Sequence, residues 1–204
     1  MIETELIEQI RMEKTGFKGI EKAADALWRA HSAGECVTLA EALYASADYP
    51  VRELAVFLLG HASANSPRAM HDLRQTVSRD DNWRVQEILA KAFDTFCRNR
   101  GYEASLPEIR SWLADDHPNV RRAVSEGLRI WTGRDYFREH PEQAVQLLAA
   151  LKDDESTYVR KSVGNALKDI SKKHPDLIRA ELAQWDVTQK PVRQVYDLAM
   201  KHLQ

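Results

Sequence analysis

DDESTYVRKSVGNALKDISKKHPDL, residues 153–177, reads as one well-formed amphipathic helix. It opens with acidic and Ser/Thr residues, which favour a helix N-terminus, and it closes on a basic run before Pro175. Apolar side chains recur along one face at helical spacing, namely Val159, Val163, Ala166, Leu167 and Ile170. The opposite face carries a dense set of polar groups, and we expect function there.

The same pattern recurs along the chain. Five strings align on one valine each: YPVRELAVFLLG (49–60), NWRVQEILAKAF (82–93), PNVRRAVSEGLR (118–129), TYVRKSVGNALK (157–168) and KPVRQVYDLAMK (190–201). These valines lie 34, 35, 39 and 33 residues apart. Shorter amphipathic segments lie between or before the strings, at 37–45, 67–77, 106–113, 141–151 and 175–184. Helical hairpins of this length are typical of HEAT-type repeats.

The repeat predicts an all-α fold, a right-handed α-solenoid of HEAT-like hairpins in one domain over residues 1–204. Within residues 1–35, the segments 3–13 and 17–31 are expected to cap one end, and residues 36–204 form about five hairpins. Each hairpin buries its apolar stripe against its neighbours, so the stack shares one core. The composition agrees with helix, because the chain has only 8 glycines and 7 prolines and is 44% hydrophobic.

An arginine directly follows the repeat valine in four of the five units, at Arg52, Arg121, Arg160 and Arg193. Acidic residues stand shortly before most units. In a helical stack, such an arginine can pair with an aspartate of the neighbouring hairpin. We expect these pairs to form a ladder that fixes one hairpin on the next, so residues outside the pattern are the better functional candidates.

Several classes of protein are disfavoured by composition. A net charge of −2 and a pI near 6.4 argue against a globally basic protein, although a local basic face can coexist with acidic caps. Cys36 and Cys97 are too isolated to indicate a disulfide framework or a zinc site. No phosphate-binding loop, dinucleotide motif or metal-ligand spacing of histidines is present, so we expect neither metal nor cofactor. No apolar run suits a membrane, and we expect a cytoplasmic protein.

The strings HPNVRRAVSEGLRIW (117–131) and YVRKSVGNALKDISKKHPDL (158–177) resemble the DNA alkylation repair family, the AlkC/AlkD group of alkylpurine DNA glycosylases. Over this half the strings are more similar to the AlkC branch. The resemblance implies a monomer whose concave face holds alkylated double-stranded DNA. It further implies hydrolysis of the glycosidic bond of cationic purines such as 3-methyladenine, without metal or cofactor.

The chemistry of that reaction indicates which side chains to seek. An N-alkylated purine already carries positive charge and leaves readily, so little help from a general acid is needed. The remaining tasks are to stabilise an oxocarbenium-like sugar and to position a water molecule. A carboxylate on a partly desolvated face suits both tasks, and cations must hold the phosphates.

The third repeat places a polar set opposite its apolar stripe: Arg121, Arg122, Ser125, Glu126 and Arg129. One interpretation is an ion pair between Arg122 and Glu126, which are four residues apart. The resemblance implies another, in which Glu126 is a catalytic carboxylate and the three arginines contact phosphates.

The fourth repeat carries Asp169, whose DISK string matches a carboxylate of the AlkC branch. The resemblance implies that Asp169 is catalytic, whereas a solvated helical aspartate is the alternative. On the same side lie Lys161, Lys168 and Lys172, which are either phosphate contacts or ordinary surface lysines.

The second repeat contributes Trp83 and Glu87, one helical turn apart. The AlkD branch uses a tryptophan and an aspartate at this spacing, so the resemblance implies that Trp83 contacts DNA and Glu87 stabilises the sugar. The alternative for Trp83 is a packing residue at the start of the helix. Asn165 stands where the AlkD branch has tryptophan. Trp131 follows R-I, where the AlkC branch has a proline-rich link before its tryptophan. Both Asn165 and Trp131 remain candidate DNA contacts. A non-catalytic module that binds DNA structures or a protein partner is the alternative function.

Overall fold

The computed structural model describes residues 4–13 and 16–203, and within these ranges it contains helices and no β-strand. The helices are α1 Thr4–Met12, α2 Lys18–Ala30, α3 Ala33–Tyr44, α4 Tyr49–Ala62, α5 Pro67–Gln75, α6 Trp83–Arg100, α7 Leu106–Leu113, α8 Pro118–Gly127, α9 Asp135–Glu139, α10 Pro141–Ala149, α11 Thr157–Ser171, α12 Pro175–Leu182 and α13 Lys190–Ala199. The predicted all-α class is confirmed. Glu3, at the start of the first predicted cap, lies outside the described residues.

Local sequence signals place most helix boundaries where they were expected. Ser32 and Glu35 form a capping box before α3, in which each side chain accepts a hydrogen bond from the other residue's backbone N–H. Ser156 caps α11 with a single hydrogen bond, which its side chain accepts from the backbone N–H of Val159. Proline occupies the first turn of seven helices, where its missing N–H leaves no hydrogen bond unmade.

One element was not predicted, the short helix α9 with the 3-10 turn Trp131–Gly133 before it. Their insertion accounts for the 39-residue spacing between the third and fourth repeats. Trp131 and Phe137 are both fully buried, and their ring centroids lie 4.9 Å apart in an edge-to-face arrangement. The unusually long spacing was the signal that could have indicated this extra element.

The chain forms two compact units, residues 1–100 and residues 101–204. In the first unit, α4 packs against α3 and α6, and Gly60 of α4 lies directly against the backbone of Ala92 in α6. In the second unit, α11 packs against α8 and α13, and Gly164 of α11 meets the side chain of Leu198. The single-domain arrangement stays a prediction.

The arginine ladder is present in both units. Arg52 forms a bidentate ion pair with Asp80, in which Nε lies 2.8 Å from Oδ2. Arg121 forms the same bidentate pair with Asp154, with Nε 2.7 Å from Oδ2. Each arginine also donates to two backbone carbonyls just before its own helix. These pairs join the loop before one helix to the loop before the next, as the sequence predicted.

The ladder changes towards the end of the chain. Arg160 keeps the two carbonyl contacts but donates its Nε to the side-chain oxygen of Gln194, 2.9 Å away. Among the described residues, Arg193 of the last repeat pairs only with the exposed Asp197, one turn further on. The terminal copy of the pattern therefore lacks the buried pairing of the inner copies.

Candidate nucleic-acid interface

The helices α8 and α11 lie side by side in the second unit, and two contacts define their register. The hydroxyl oxygens of Ser125 and Ser162 lie 2.7 Å apart and share a buried hydrogen bond. Beyond the end of α8, Arg129 donates its Nε to Asp169 of α11 at 3.2 Å. The polar stripes of the two helices are therefore neighbours.

Asp169 is enclosed by two cations. Its side chain is only 8% exposed, and its second carboxylate oxygen accepts a hydrogen bond from Lys172 at 2.8 Å. Burial alone would raise the pKa of Asp169, but the hydrogen bonds from Lys172 and Arg129 outweigh burial and hold the pKa below its usual value. The geometry favours a role in positioning these two cations, which are themselves about half exposed. Its catalytic role stays a prediction.

The lysines of α11 form the outer edge of this surface. Lys161 and Lys172 are exposed, and Lys168 is half-buried and donates to the side-chain oxygen of Asn165 at 3.1 Å. Asn165 thereby orients a lysine, a contact that an aromatic side chain at this position could not provide. The three amines remain within reach of an anion in solvent.

Glu126 and Arg122 lie half-buried on α8. Within the described ranges, the ion pair between them that the spacing allowed does not form. Glu126 is therefore a carboxylate of this face that no cation of the described chain neutralises by direct contact.

Two of the predicted DNA contacts are buried in this structure. Arg121 is buried, and its guanidinium is fully engaged by Asp154 and two backbone carbonyls, because it belongs to the ladder. Trp131 has no exposed surface, because its large ring packs against Phe137 and anchors the inserted turn. Both side chains have structural roles in the fold, and their contact with DNA stays a prediction.

The first unit presents an aromatic platform. Trp83, the first residue of α6, is 61% exposed, and the guanidinium of Arg84 lies 4.8 Å from its ring centroid. Glu87 is exposed one turn further along the same helix. The platform therefore places an indole and a carboxylate on the same side of α6, as the spacing predicted.

Sequence reasoning missed Glu53, which lies on α4 and is only 3% exposed. The pKa of Glu53 is raised to about 7, chiefly by burial; the charge of Arg84 opposes the rise, and those of Glu87 and Glu13 add to it. The sequence could have indicated Glu53, because it is the single acidic residue in the string YPVRELAVFLLG, and most residues of this string are buried in α4.

Two further findings concern the whole described chain. Across residues 4–13 and 16–203, no three His, Cys, Asp or Glu side chains are grouped so that they could hold a metal ion. In the same ranges, no helix combines the length and the apolar character needed to cross a bilayer.

Stacked helical hairpins with surplus cations on one pair of helices define a repeat protein suited to a polyanionic ligand. The model of the DNA alkylation repair enzyme family matches residues 16–203, and the chain belongs to this family. The predicted resemblance is thus confirmed.

Solved structures support the assignment. The crystal structure of AlkD2 from Streptococcus mutans superposes with a TM-score of 0.94 at 47% identity, covering 97% of this chain and 95% of that one. The Pseudomonas fluorescens alkylpurine DNA glycosylase AlkC, bound to DNA containing an abasic site analog, gives a TM-score of 0.54 at 27% identity, covering 98% and 63%. Of these two, AlkD2 is the more similar over the whole chain.

A curated relative matches over a shorter stretch. The uncharacterized protein YhaZ of Bacillus subtilis is 39% identical over 87 residues, which make up 41% of this chain and 24% of YhaZ. The chain thus matches about a quarter of the length of that relative.

Proposed function

We propose that this protein binds double-stranded DNA through the adjoining faces of α8 and α11. The observation that carries the proposal is a surplus of positive charge there, since two carboxylates stand among five cations: Arg122, Arg129, Lys161, Lys168 and Lys172. Side chains of this kind neutralise phosphates and release counterions. The DNA-bound AlkC relative supports the choice of ligand.

The reaction that best suits the carboxylates is hydrolysis of the glycosidic bond of a cationic alkylated purine such as 3-methyladenine. The bond between sugar C1′ and the purine nitrogen breaks, and its electron pair neutralises the base. Water then bonds to C1′ and loses a proton to a carboxylate. Glu126 and Glu87 are the accessible candidates for this role, while Asp169 holds Arg129 and Lys172 in place. The protein acts as a monomer in the cytoplasm, without metal or cofactor.

Release of methylated bases from alkylated duplex DNA tests the reaction. Wild-type protein is expected to release 3-methyladenine in the presence of EDTA, and Glu126→Gln or Glu87→Gln to reduce the rate at least tenfold with folding intact. Asp169→Asn is expected to weaken DNA binding along with the rate. Glu139→Gln, an exposed glutamate on α9, is the matched control and retains the wild-type rate.

A second function is non-catalytic binding of DNA structures. It is favoured by the enclosure of Asp169 between two cations and by the burial of Trp131, which together remove two side chains expected to face the lesion. If the protein binds DNA but releases no base above background in the same assay, the second function is supported and the glycosylase reaction is excluded. Absence of both binding and release would overturn the proposal altogether.

A further inference from the structure

Ile130 has an unusual backbone for its side chain. Its φ of 58° and ψ of 50° place it in the left-handed region, and among residues 4–13 and 16–203 it is the one non-glycine residue with positive φ. A β-branched residue fits this region poorly, and glycine or asparagine is the usual occupant. Ile130 nevertheless adopts this conformation, and 54% of its surface is exposed.

The turn that carries Ile130 is firmly anchored. Leu128 before it and Trp131 after it are fully buried. The carbonyl oxygen of Ile130 accepts a hydrogen bond from the backbone N–H of Gly133 at 2.7 Å. Ile130 is therefore presented to solvent by a fixed turn, and its conformation does not result from a frayed helix end.

The surroundings of this exposed aliphatic side chain are cationic. Ile130 directly follows Arg129, whose guanidinium pairs with Asp169, and Asp169 also binds the amine of Lys172. Both cations are about half exposed. A ligand that engages them through phosphates would lie next to Ile130.

We infer that Ile130 is a wedge that inserts into bound duplex DNA and partly unstacks one base step. The inference rests on the proposed DNA binding and deepens it. The strained backbone of Ile130 disfavours the folded state, and a base stack would cover the exposed aliphatic surface while neighbouring cations hold the phosphates. Aliphatic wedges of this kind bend DNA and favour sites where bases are already poorly stacked.

Duplexes that carry 2-aminopurine at successive positions test the wedge, because 2-aminopurine fluorescence rises when the base loses its stacking. Wild-type protein is expected to raise the fluorescence at one position of the bound site. Ile130→Gly, which fits the left-handed backbone, removes this rise and weakens binding roughly threefold to tenfold, with the salt dependence unchanged. Ile130→Leu keeps an aliphatic side chain and retains the rise.

The thermal midpoints of the variants separate the wedge from a structural role. Ile130→Gly is expected to melt at or above the wild-type temperature, because glycine relieves the strained φ. Equal 2-aminopurine signals for wild type and Ile130→Gly on bound DNA overturn the wedge and leave the DNA-binding proposal intact. No DNA binding by wild-type protein overturns both.

Discussion

At the scale of single residues, Glu53 makes the stability of the protein depend on pH. Its pKa is raised from 4.5 to about 7, so the folded state binds the proton more tightly than the unfolded state. The contribution of Glu53 to stability is therefore fully present below about pH 4.5 and is lost as the pH rises through about 7. Glu53→Gln removes this dependence. At pH 8 we expect the free energy of unfolding of this variant to be about 1–3 kcal/mol higher than that of wild type.

Urea denaturation at pH 5 and pH 8 measures this effect. The wild-type protein should lose more stability than Glu53→Gln between the two values. Glu139→Gln, on the exposed surface of α9, should follow the wild-type profile. Identical pH profiles for wild type and Glu53→Gln would show that the Glu53 carboxyl is not perturbed by its burial.

At the scale of helices, the contribution of each ladder arginine to the free energy of unfolding depends on how deeply its ion pair is buried. Arg121→Ala leaves Asp154 buried without its partner, and we expect it to reduce the free energy of unfolding by about 3–5 kcal/mol. Arg193→Ala removes the corresponding arginine of the last repeat, whose exposed pair with Asp197 contributes about 0.3–0.5 kcal/mol. Chemical denaturation measures the free energy of unfolding of both variants. Similar losses of stability in the two variants would contradict the prediction.

Helix contact through glycine gives a second prediction at this scale. A Cβ atom at Gly60 would lie 2.8 Å from the Cα of Ala92, so Gly60→Ala must push α4 and α6 apart. We expect a loss of about 1–3 kcal/mol, in spite of the better helix propensity of alanine.

The matched control is Gly34→Ala in α3, where the added Cβ meets no atom within 4 Å. That variant should be as stable as wild type or up to about 1 kcal/mol more stable. Thermal or urea unfolding measures the stability of both variants. A Gly60→Ala variant as stable as wild type would show that α4 and α6 can move apart without loss of stability.

At the scale of the whole molecule, the distribution of charge matters more than its sum. The net charge is −2, yet the α8 and α11 surface carries five cations and two carboxylates, whereas Asp80 and Asp154 are paired with arginines of the ladder. If these five cations contact phosphates, the logarithm of the DNA association constant should fall with the logarithm of salt concentration with a slope of about −4 to −5.

Lys161→Ala should weaken binding and make that slope shallower by about 1, because one phosphate contact is lost. Lys22→Ala, an exposed lysine on α2, is the control and should leave the slope unchanged. Fluorescence anisotropy over a range of salt concentrations measures both. A slope near zero for wild type would show that binding, if present, does not depend on phosphates.

The helices other than α9, their pairing into hairpins and the arginine ladder could be predicted from local patterns in the sequence. Val51, Val120 and Val159 mark apolar stripes whose spacing predicts helix, and Arg52 and Arg121 found the partners that the repeat implied. Amphipathic spacing and caps act between residues a few positions apart, so they can be recognised without coordinates. The family resemblance followed from two such strings.

Which of the polar residues are exposed to a ligand depends on packing between distant parts of the chain, and the sequence pattern did not predict it. Asp169 is enclosed because Arg129, forty positions earlier, reaches it across the α8–α11 contact. Trp131 is buried and Ile130 exposed because an unpredicted helix supplies Phe137 as a packing partner. Burial and ion pairing arise from groups distant in sequence, and the repeat pattern specifies the helices without specifying which neighbours those groups meet.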